Sequence, residues 1–329
     1  MLIPLTKDRR LLVFLGIFLA VLLLPFVVHD AFFIRLFTEA AMWIGLSLAF
    51  DVLAGYTGYL NFGHSAFFGI GAYTTGLLMM KSNWPFYLAL PVSALTATLA
   101  ALIIGFPTLR LRGAYFSIAT WALARAILQG IMMIPYAGGN EGIQLKAYLN
   151  PLFFFYVMSG LVGVTFFVLW FLLERAPFGL KLKAIREDQE SAKALGLNPT
   201  KLKMQAFIMS AIPTALIGGI FAYWVTFIDP ASTVGDLISD QALVMVVFGG
   251  MGTLIGPVIG AIIIFAFKTL FWAYLSAYEV LYLIILGAVI AISVVFLPDG
   301  VLGAAFRKGT GRHAKGSIHV TTPSPEKEA

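Results

Sequence analysis

Long apolar stretches separated by short polar segments make up most of this chain. Most of them approach the roughly 20 residues that an α-helix needs to cross the hydrocarbon core of a bilayer. Two are unusual, because residues 62–80 are rich in glycine and residues 235–250 form a short stretch, so either could be a broken or re-entrant element. The pattern predicts about ten membrane-spanning helices, with eight or nine as alternatives, over residues 11–28, 36–54, 62–80, 86–106, 114–134, 152–173, 204–227, 235–250, 254–275 and 280–298.

One long segment, residues 174–203, interrupts this pattern with seven basic and four acidic side chains. A charged side chain at the centre of a bilayer costs roughly 2.5–3.5 kcal/mol, so this segment, which we call the charged loop, is expected in water. Apolar residues recur within it at helical spacing, which predicts a short helix, a glycine stop and a new helix start. The apolar stripe is Leu182, Ile185, Ala192 and Leu195, the stop is Gly196, and the start is Asn198 with Pro199.

The helix of the charged loop has two interpretations. It is either a solvated helix with no special role or a docking helix that passes force between the membrane part and a soluble partner. The pattern of residues alone does not favour one over the other.

The composition agrees with a membrane protein and excludes several other classes. Hydrophobic residues make up 60% of the chain and charged residues 12%, whereas soluble domains average about 45–50% and about 25%. The chain has no cysteine, which excludes disulfides, thiolate metal sites and cysteine nucleophiles. The net charge of +6 comes from basic residues that border apolar stretches, so no nucleic-acid partner is expected. The predicted fold class is an all-α polytopic membrane protein.

The basic residues also orient the helices. With the N-terminus inside, the inner segments collect sixteen Lys and Arg residues, whereas the outer segments hold only Arg35, Lys81 and Lys146. Cytoplasmic segments carry such an excess, so we expect both termini and the charged loop in the cytoplasm. We expect a transmembrane domain over residues 1–306. Because the end of the chain is rich in Gly, Ser, Thr, Pro and Lys, residues 307–329 are expected to form a disordered cytoplasmic tail.

Two glycine-rich segments, residues 55–73 and 248–261, differ from ordinary lipid-facing helix. Glycine at this density lets helices approach closely, or lets the backbone leave the helix beside a cavity. Both segments are expected at a turn on the cytoplasmic side, which suggests two parallel repeats over about residues 36–134 and 204–298.

The sequence shows no catalytic constellation. It contains neither an H-E-x-x-H motif nor a G-x-x-x-x-G-K-[ST] phosphate loop, so we expect no enzyme, no ATP-binding chain, no cofactor and no metal. Asp51, Arg125 and Lys268 fall in or near spans, where ionisable residues indicate a translocation pathway, although Lys268 could reach the interface and Arg125 could pair with an acid. For Asn61 and His64, interhelical hydrogen bonding is favoured over solute contact. The pathway candidates are Asn61, His64, Arg125, Gly249 and Gly250.

Several long motifs, in order along the chain, carry a resemblance to a known family. They are GYLNFGHSAFFGIGAY at 58–73, LRGAYFSIAT at 111–120, FGLKLKAIREDQESAKALGLN at 178–198, FGGMGTLIGPVIGA at 248–261 and FLPDGVLG at 296–303. Together they resemble the LivM-type permeases, which are inner-membrane subunits of bacterial branched-chain amino-acid ABC importers. The resemblance covers most of the chain from about residue 40 to residue 303.

The resemblance implies a set of partners and a site. The partners are a LivH-type second permease, two cytoplasmic ABC ATPases and a periplasmic substrate-binding protein, with membrane lipid around the permeases. Residues 178–198 would be the cytoplasmic coupling loop that contacts the ATPases. The coupling residues would be Ala184, Arg186, Glu187, Glu190, Ser191, Ala192 and Gly196. Ala192 is expected to supply a small face that enters a cleft on the ATPase, and Arg186, Glu187 and Glu190 to supply a charged rim.

The expected function is therefore the import of branched-chain amino acids, driven by ATP hydrolysis in partner subunits. Urea, short-chain amide and aromatic-acid importers have similar permeases, so a urea or amide permease is the first alternative. An ion-coupled secondary carrier, which would need clustered membrane carboxylates, and a membrane enzyme are alternatives from other classes.

Overall fold

A computed structural model describes residues 6–275 and, beyond them, residues 285, 287, 288, 300 and 301. The predicted span over residues 280–298 therefore lies almost entirely outside the described residues, and the predicted tail over residues 307–329 lies wholly outside them.

Within this part of the chain, α-helices and a two-stranded sheet follow one another. The helices are α1 (Thr6–Val27), α2 (Ala31–Thr57), α3 (His64–Lys81), α4 (Phe86–Thr108), α5 (Ala114–Met133), α6 (Pro151–Leu169), α7 (Pro177–Glu187), α8 (Gln189–Ala194), α9 (Pro199–Val225), α10 (Pro230–Val234), α11 (Asp236–Gly249) and α12 (Ile255–Leu275). A 3-10 turn covers Pro135–Ala137, and α6 continues into a π-helical turn, Trp170–Arg175. The strands β1 (Ile143–Gln144) and β2 (Phe227–Ile228) pair antiparallel, which ties the segment before α6 to the end of α9.

Among the residues that the structure describes, six helical segments are long and apolar enough to cross a membrane. They cover Ala31–Thr57, Phe86–Thr108, Ala114–Met133, Pro151–Arg175, Pro199–Val225 and Pro230–Gly249. Two shorter apolar helices cover Phe18–Val27 and Ile255–Phe271. Each of the first nine predicted stretches contains a helix, and the chain is a helical, multi-pass membrane protein. The count of ten spans and the two parallel repeats stay predictions.

The centre of the fold is formed by α2 and α9. The apolar windows of these two helices are 72% and 67% buried, compared with 28% in α4 and 22% in α5. α9 packs against α3 and α4, and α2 packs against α6 and α9. α5 therefore leaves most of its apolar surface uncovered in the isolated chain.

The close packing of α3 on α9 depends on glycine. A Cβ atom added at Gly71 would collide with the backbone carbonyl of Ala215, and one added at Gly218 would collide with the carbonyl of Phe68. Because a helix backbone cannot move aside without disturbing its own hydrogen bonds, these positions do not accept a larger side chain. The first glycine-rich segment thus forms a close helix contact, which is one of the two uses that its composition predicted.

Candidate functional site

The charged loop folds into two short helices rather than the one predicted from its sequence. α7 ends at Glu187, and Asp188 has an extended backbone (φ −152°, ψ 114°) before α8 begins. The Asp188 side chain caps α8 by accepting hydrogen bonds from the N–H groups of Glu190 and Ser191 and from the Ser191 hydroxyl. These donors, the Ser191 hydroxyl first, hold the pKa of the exposed Asp188 carboxyl below its usual range. The single-helix prediction was wrong because an aspartate with this capping geometry ends one helix and starts another.

The apolar stripe of the charged loop packs onto the chain itself at three of its four positions. Leu182, Ile185 and Ala192 belong to one buried hydrophobic cluster, whereas Leu195 is 81% exposed. The expectation that the Ala192 side chain enters a cleft on a partner is therefore wrong for this structure, because that side chain is 2% exposed and packs in the chain's own core. The large apolar side chains that the described part of this loop does expose are Leu195 and Leu180, the latter at 73%.

The end of the charged loop follows the sequence prediction. Gly196 has a φ of +82°, in the left-handed region that favours glycine. The Asn198 side chain accepts a hydrogen bond from the Lys201 N–H at 3.1 Å, and Pro199 is the first residue of α9. The stop and the start predicted at these residues are both confirmed.

Arg186 connects the charged loop to the interior of the fold. Its Nη1 donates a hydrogen bond to the backbone carbonyl of Gly55, near the end of α2. On the same helix, Asp51 accepts a hydrogen bond at Oδ1 from the backbone N–H of Gly252, at 2.9 Å. Arg186 and Lys183 also place positive charge near this buried carboxylate. One residue of the loop thus reaches α2 at the point where the turn between α11 and α12 also contacts it.

This point of contact requires glycine on both sides. A Cβ atom added at Gly55 would collide with the Asp51 carboxylate and with the backbone nitrogen of Gly252. Gly252 has a φ of +79°, and a Cβ atom there would lie 2.6 Å from Nη1 of Arg186. We call the group of Asp51, Gly55, Arg186 and Gly252 the Asp51–Arg186 junction.

A second link between the charged loop and the membrane helices is centred on Lys203, near the start of α9. Its ammonium donates hydrogen bonds to the hydroxyl of Tyr59 at 3.1 Å, to Oε1 of Gln189 at 3.2 Å and to the carbonyl of Leu109 at 3.2 Å. The Tyr59 hydroxyl donates in turn to Gln189 Oε1 at 3.0 Å, and burial raises the pKa of Tyr59. Because the Lys203 side chain is 1% exposed, its charge depends on these acceptors.

Sequence reasoning counted Lys203 only as one of seven basic residues in the loop. A signal for its role was present, because Lys203 lies on the helical stripe of α9 that also contains Leu202, Ala206, Phe207 and Ser210, all of them buried. A basic residue on a buried stripe needs acceptors from neighbouring elements. The stripe could not show that those acceptors come from α8, the end of α4 and the segment after α2.

The remaining predicted coupling residues lie on the outside of the loop. Glu190 forms an ion pair with Arg112, in the segment between α4 and α5, and both side chains are more than half exposed. Exposed pairs of this kind contribute little to stability. Glu187 is exposed and Ala184 is half-buried. In the isolated chain this surface is open to solvent.

Two predicted pathway residues, Asn61 and His64, are buried and form hydrogen bonds within the chain. His64 Nε2 lies 3.0 Å from Oγ1 of Thr214 on α9, and its ring packs edge-on against Phe50. Asn61 Oδ1 accepts a hydrogen bond from the N–H of Gly63 at 3.0 Å. The interhelical hydrogen bond favoured from the sequence is present for His64, whereas the bond of Asn61 is local.

The other pathway candidates lie beside α11. Gly249 is buried where α11 crosses α12, and a Cβ atom there would collide with the carbonyl of Gly256; Gly250 directly follows α11. Arg125, in the middle part of α5, forms an ion pair with Asp236 of α11, which is the pairing weighed for it from the sequence. The pathway role of all five candidates stays a prediction.

Within residues 6–275 and the few described beyond them, no group of three His, Asp or Glu side chains is placed to hold a metal ion.

The contacts of the charged loop suit the transmission of movement. The loop is joined to the membrane helices at the Asp51–Arg186 junction and through Lys203. A displacement of the loop would therefore act on α2, α9 and the turn between α11 and α12.

A family model described as the branched-chain amino acid transport system / permease component matches residues 32–294. The chain belongs to this family. The match includes the charged loop and both glycine-rich segments, so the resemblance read from the motifs is confirmed. Members are permease components of transport systems, and the chain is accordingly a transport component rather than an enzyme.

Individual relatives of this permease differ in what they are named for. The high-affinity branched-chain amino acid transport system permease protein LivM of Salmonella typhimurium is 30% identical over 298 residues, which is 80% of this chain and 68% of the relative. LivM of Escherichia coli is 31% identical with the same coverage. The autoinducer 2 import system permease protein LsrC of Yersinia pestis is 28% identical over 249 residues, 70% of this chain and 67% of the relative. No solved structure matches this permease.

Proposed function

We propose that this permease imports branched-chain amino acids across the bacterial inner membrane as one subunit of an ABC importer. It pairs with a LivH-type second permease, receives its solute from a periplasmic substrate-binding protein, and is driven by two cytoplasmic ATPases. The termini and the charged loop face the cytoplasm, and the charged loop is the coupling loop on which the ATPases act. The LivM relatives, named for branched-chain amino acid transport, support the choice of solute.

The observation that carries this proposal is the Asp51–Arg186 junction. Arg186 of the loop, the end of α2 and the turn between α11 and α12 meet there. A merely solvated helix needs no such contact, because water already satisfies its exposed charges. A coupling helix needs one, since movement imposed by an ATPase must reach the membrane helices through packed and hydrogen-bonded groups.

The docking surface in this proposal is the exposed side of α7 and α8 with the residues that follow. Leu180 and Leu195 are its apolar groups, and both are strongly exposed in the isolated chain. Full burial of a leucine side chain stabilises a contact by roughly 1.5–3 kcal/mol. Exposed apolar side chains that become buried at the centre of an interface contribute much of its binding energy. Glu187 and Glu190 are the exposed charges of its rim.

The substitution Leu195→Glu tests the docking surface, with Leu149→Glu as its matched control. Both leucines are strongly exposed, but Leu149 precedes α6, at the end of that helix remote from the charged loop. A glutamate buried without a partner typically costs about 3–5 kcal/mol, whereas a change on a solvated surface stays within about 0.5 kcal/mol. We expect Leu195→Glu to lower the affinity between the permease and the ATPases by more than about a hundredfold, which should be seen as a loss of co-purification. The control should retain it. An intact complex with Leu195→Glu would contradict the proposal.

Import of a different small solute is the second candidate function. The relative LsrC is named for autoinducer 2 import and matches 70% of this chain, so the same scaffold serves an unlike solute. Uptake of leucine, urea, acetamide and autoinducer 2 should be compared in one reconstituted system. Uptake of another solute without leucine would overturn the substrate assignment and leave the coupling proposal standing.

An ion-coupled carrier acting alone has less support from the structure. Such a carrier needs clustered membrane carboxylates for its coupling ion, but Asp51 accepts a hydrogen bond from Gly252, and Glu39 pairs with Lys268 at 3.4 Å. Of the three candidates this leaves Asp240 alone without a hydrogen-bond donor among the described residues, and its neighbour Asp236 pairs with Arg125. Uptake that requires ATP in proteoliposomes would exclude this class, and uptake driven by an ion gradient in the isolated chain would establish it.

A further inference from the structure

A cavity of about 260 Å³ lies between α5, α11 and the segment that joins α2 to α3. It is lined by Phe62, Ser117, Ile118, Trp121, Asp236 and Asp240. Pockets for drug-sized ligands start at about 300 Å³, so this cavity suits a smaller solute of amino-acid size. Most of its surface is apolar, with Phe62, Ile118 and Trp121 among the lining residues, and the smaller polar part comes from two carboxylates and a hydroxyl.

Hydrogen bonds hold the walls of this cavity together. Ser117 Oγ, on α5, donates to the carbonyl of Leu60 at 2.9 Å. Ser239 Oγ, on α11, donates to the carbonyl of Phe62 at 2.9 Å. Both acceptors belong to the segment between α2 and α3, which is therefore fixed to α5 on one side and to α11 on the other.

The charges at the cavity lie near the middle of α5, one of the helices long enough to cross a membrane. At 1.5 Å per residue, Arg125 is about 16 Å from the first residue of α5 and about 12 Å from the last. Because Arg125 pairs with Asp236, the first residue of α11, that helix begins at the same depth. Gly235, with an extended backbone, separates α11 from α10. Helices interrupted near the midplane form the solute sites of many transporters.

This charged surface does not suit contact with lipid. The Arg125 and Asp236 side chains are 45% and 25% exposed in the isolated chain. Ionisable side chains at this depth are costly in lipid and are found facing protein or water-filled cavities. The surface therefore borders another chain or an aqueous path.

We propose that this cavity binds the ammonium group of the transported amino acid. Asp236 and Asp240 together with Arg125 leave one net negative charge, which attracts a cation. Arg125 already engages Asp236, whereas the described residues donate no hydrogen bond to Asp240, so its carboxylate is the acceptor for the ammonium group. Arg125, over the Trp121 ring at 5.7 Å, is placed to attract the solute carboxylate. The inference rests on the proposed function, since it takes an amino acid as the solute.

Asp240→Asn is the first test, measured as leucine uptake by the whole importer in proteoliposomes. Loss of a charged acceptor should reduce uptake by at least about tenfold, equivalent to about 1.4 kcal/mol. Glu141→Gln removes an exposed carboxylate from the segment between α5 and α6, outside the cavity, and is the control, expected near the parent level. Co-purification of the ATPases is checked for each variant, which separates failure of this site from failure of coupling. Parent-level uptake by Asp240→Asn would overturn the proposal.

An exchange of charges distinguishes solute contact from a structural ion pair. Arg125→Asp combined with Asp236→Arg keeps the pair but moves the positive charge to the other wall. We expect the exchanged protein to assemble but to take up leucine well below the parent level. If its uptake equals that of the parent, the pair serves only to hold α5 against α11, and the proposal fails.

A third measurement needs no solute, and it can be interpreted even if the Asp240→Asn variant does not fold. Ile118→Cys places a thiol at the cavity of a chain that has no cysteine of its own. A negative, water-reached cavity should react about tenfold faster with a cationic than with an anionic methanethiosulfonate reagent. Equal rates, or no reaction, would overturn the proposal. A retained charge preference in a complex that does not transport leucine would place the fault in the proposed function instead.

Discussion

Replacing Arg186 by Gln removes the charge that joins the charged loop to α2. Its Nη1 donates to the Gly55 carbonyl and lies against Gly252, whose N–H is bound by Asp51. Hydrogen bonds to charged groups contribute about 1.5–3 kcal/mol, and a shorter, neutral Gln side chain forfeits most of that. Because Arg186 is an exposed residue, the lower end of that range applies, and we expect the junction to weaken by about 1.5 kcal/mol. That is roughly a tenfold change in the equilibrium between its joined and separated arrangements.

The assay is the amount of leucine transported per ATP hydrolysed by the whole complex in proteoliposomes. Leu180 and Leu195 are unchanged in Arg186→Gln, and Arg186 Nη1 donates to Gly55 of the chain itself rather than to a partner, so the ATPases should bind as in the parent. Transport per ATP should fall by about fivefold or more, because less of the ATPase movement reaches α2. Lys146→Gln removes an exposed positive charge before α6, remote from the charged loop, and is the control, with no expected change. An unchanged ratio in Arg186→Gln would refute the role of the junction.

Three further predictions test the packing and the orientation. Gly71→Leu should destabilise the protein by about 1–3 kcal/mol or more in thermal unfolding. Gly160→Leu is the control and should not, because an added Cβ there meets nothing within 4 Å. Equal melting temperatures of the two variants would contradict the α3–α9 contact. A cysteine replacing Lys146 should react with an impermeant thiol reagent in intact cells, and one replacing Glu190 only after lysis; the reverse would invert the proposed orientation. Ala192→Glu should destabilise the chain itself by about 3–5 kcal/mol, because its position is buried; a stable variant that only loses the ATPases would contradict that burial.

The helices could be predicted because the length of an apolar stretch is a local property of the chain. The stretch predicted at 114–134, for example, became α5 at Ala114–Met133. The eighth predicted stretch, residues 235–250, began at the residue before α11, but the short helix α10 before it was not predicted. The interruption at Asp188 was not predicted either. It depends on one residue leaving the helical conformation, and a hydrophobic pattern averaged over several turns does not register a single residue.

The contacts of the charged loop could not be predicted, because they join residues far apart in sequence. Arg186 reaches Gly55 across 131 positions, and Lys203 reaches Tyr59 across 144. Helical spacing identified the stripe that contains Ala192, but spacing does not reveal whether a stripe packs on its own chain or on a partner. That depends on which neighbouring surface is available, and here the chain's own core takes it.

The cavity between α5 and α11 could not be predicted from the sequence, for the same reason. The sequence indicated that Arg125 could pair with an acid, and it does so. The choice of Asp236 as partner depends on how α5 is placed against α11 along their axes. The cavity follows from that placement together with the path of the segment around Phe62.

Cross-linking from the charged loop tests its proposed role most directly. Leu195→Cys gives the cysteine-free chain one thiol on the proposed docking surface, and Leu149→Cys gives a comparably exposed thiol at the other end of α6. With a short thiol-to-amine reagent in the whole complex, we expect a product of permease and ATPase from position 195 and none from position 149. An assembled complex that gives no ATPase product from position 195, or that gives one from position 149, would contradict the assignment of the charged loop as the coupling loop.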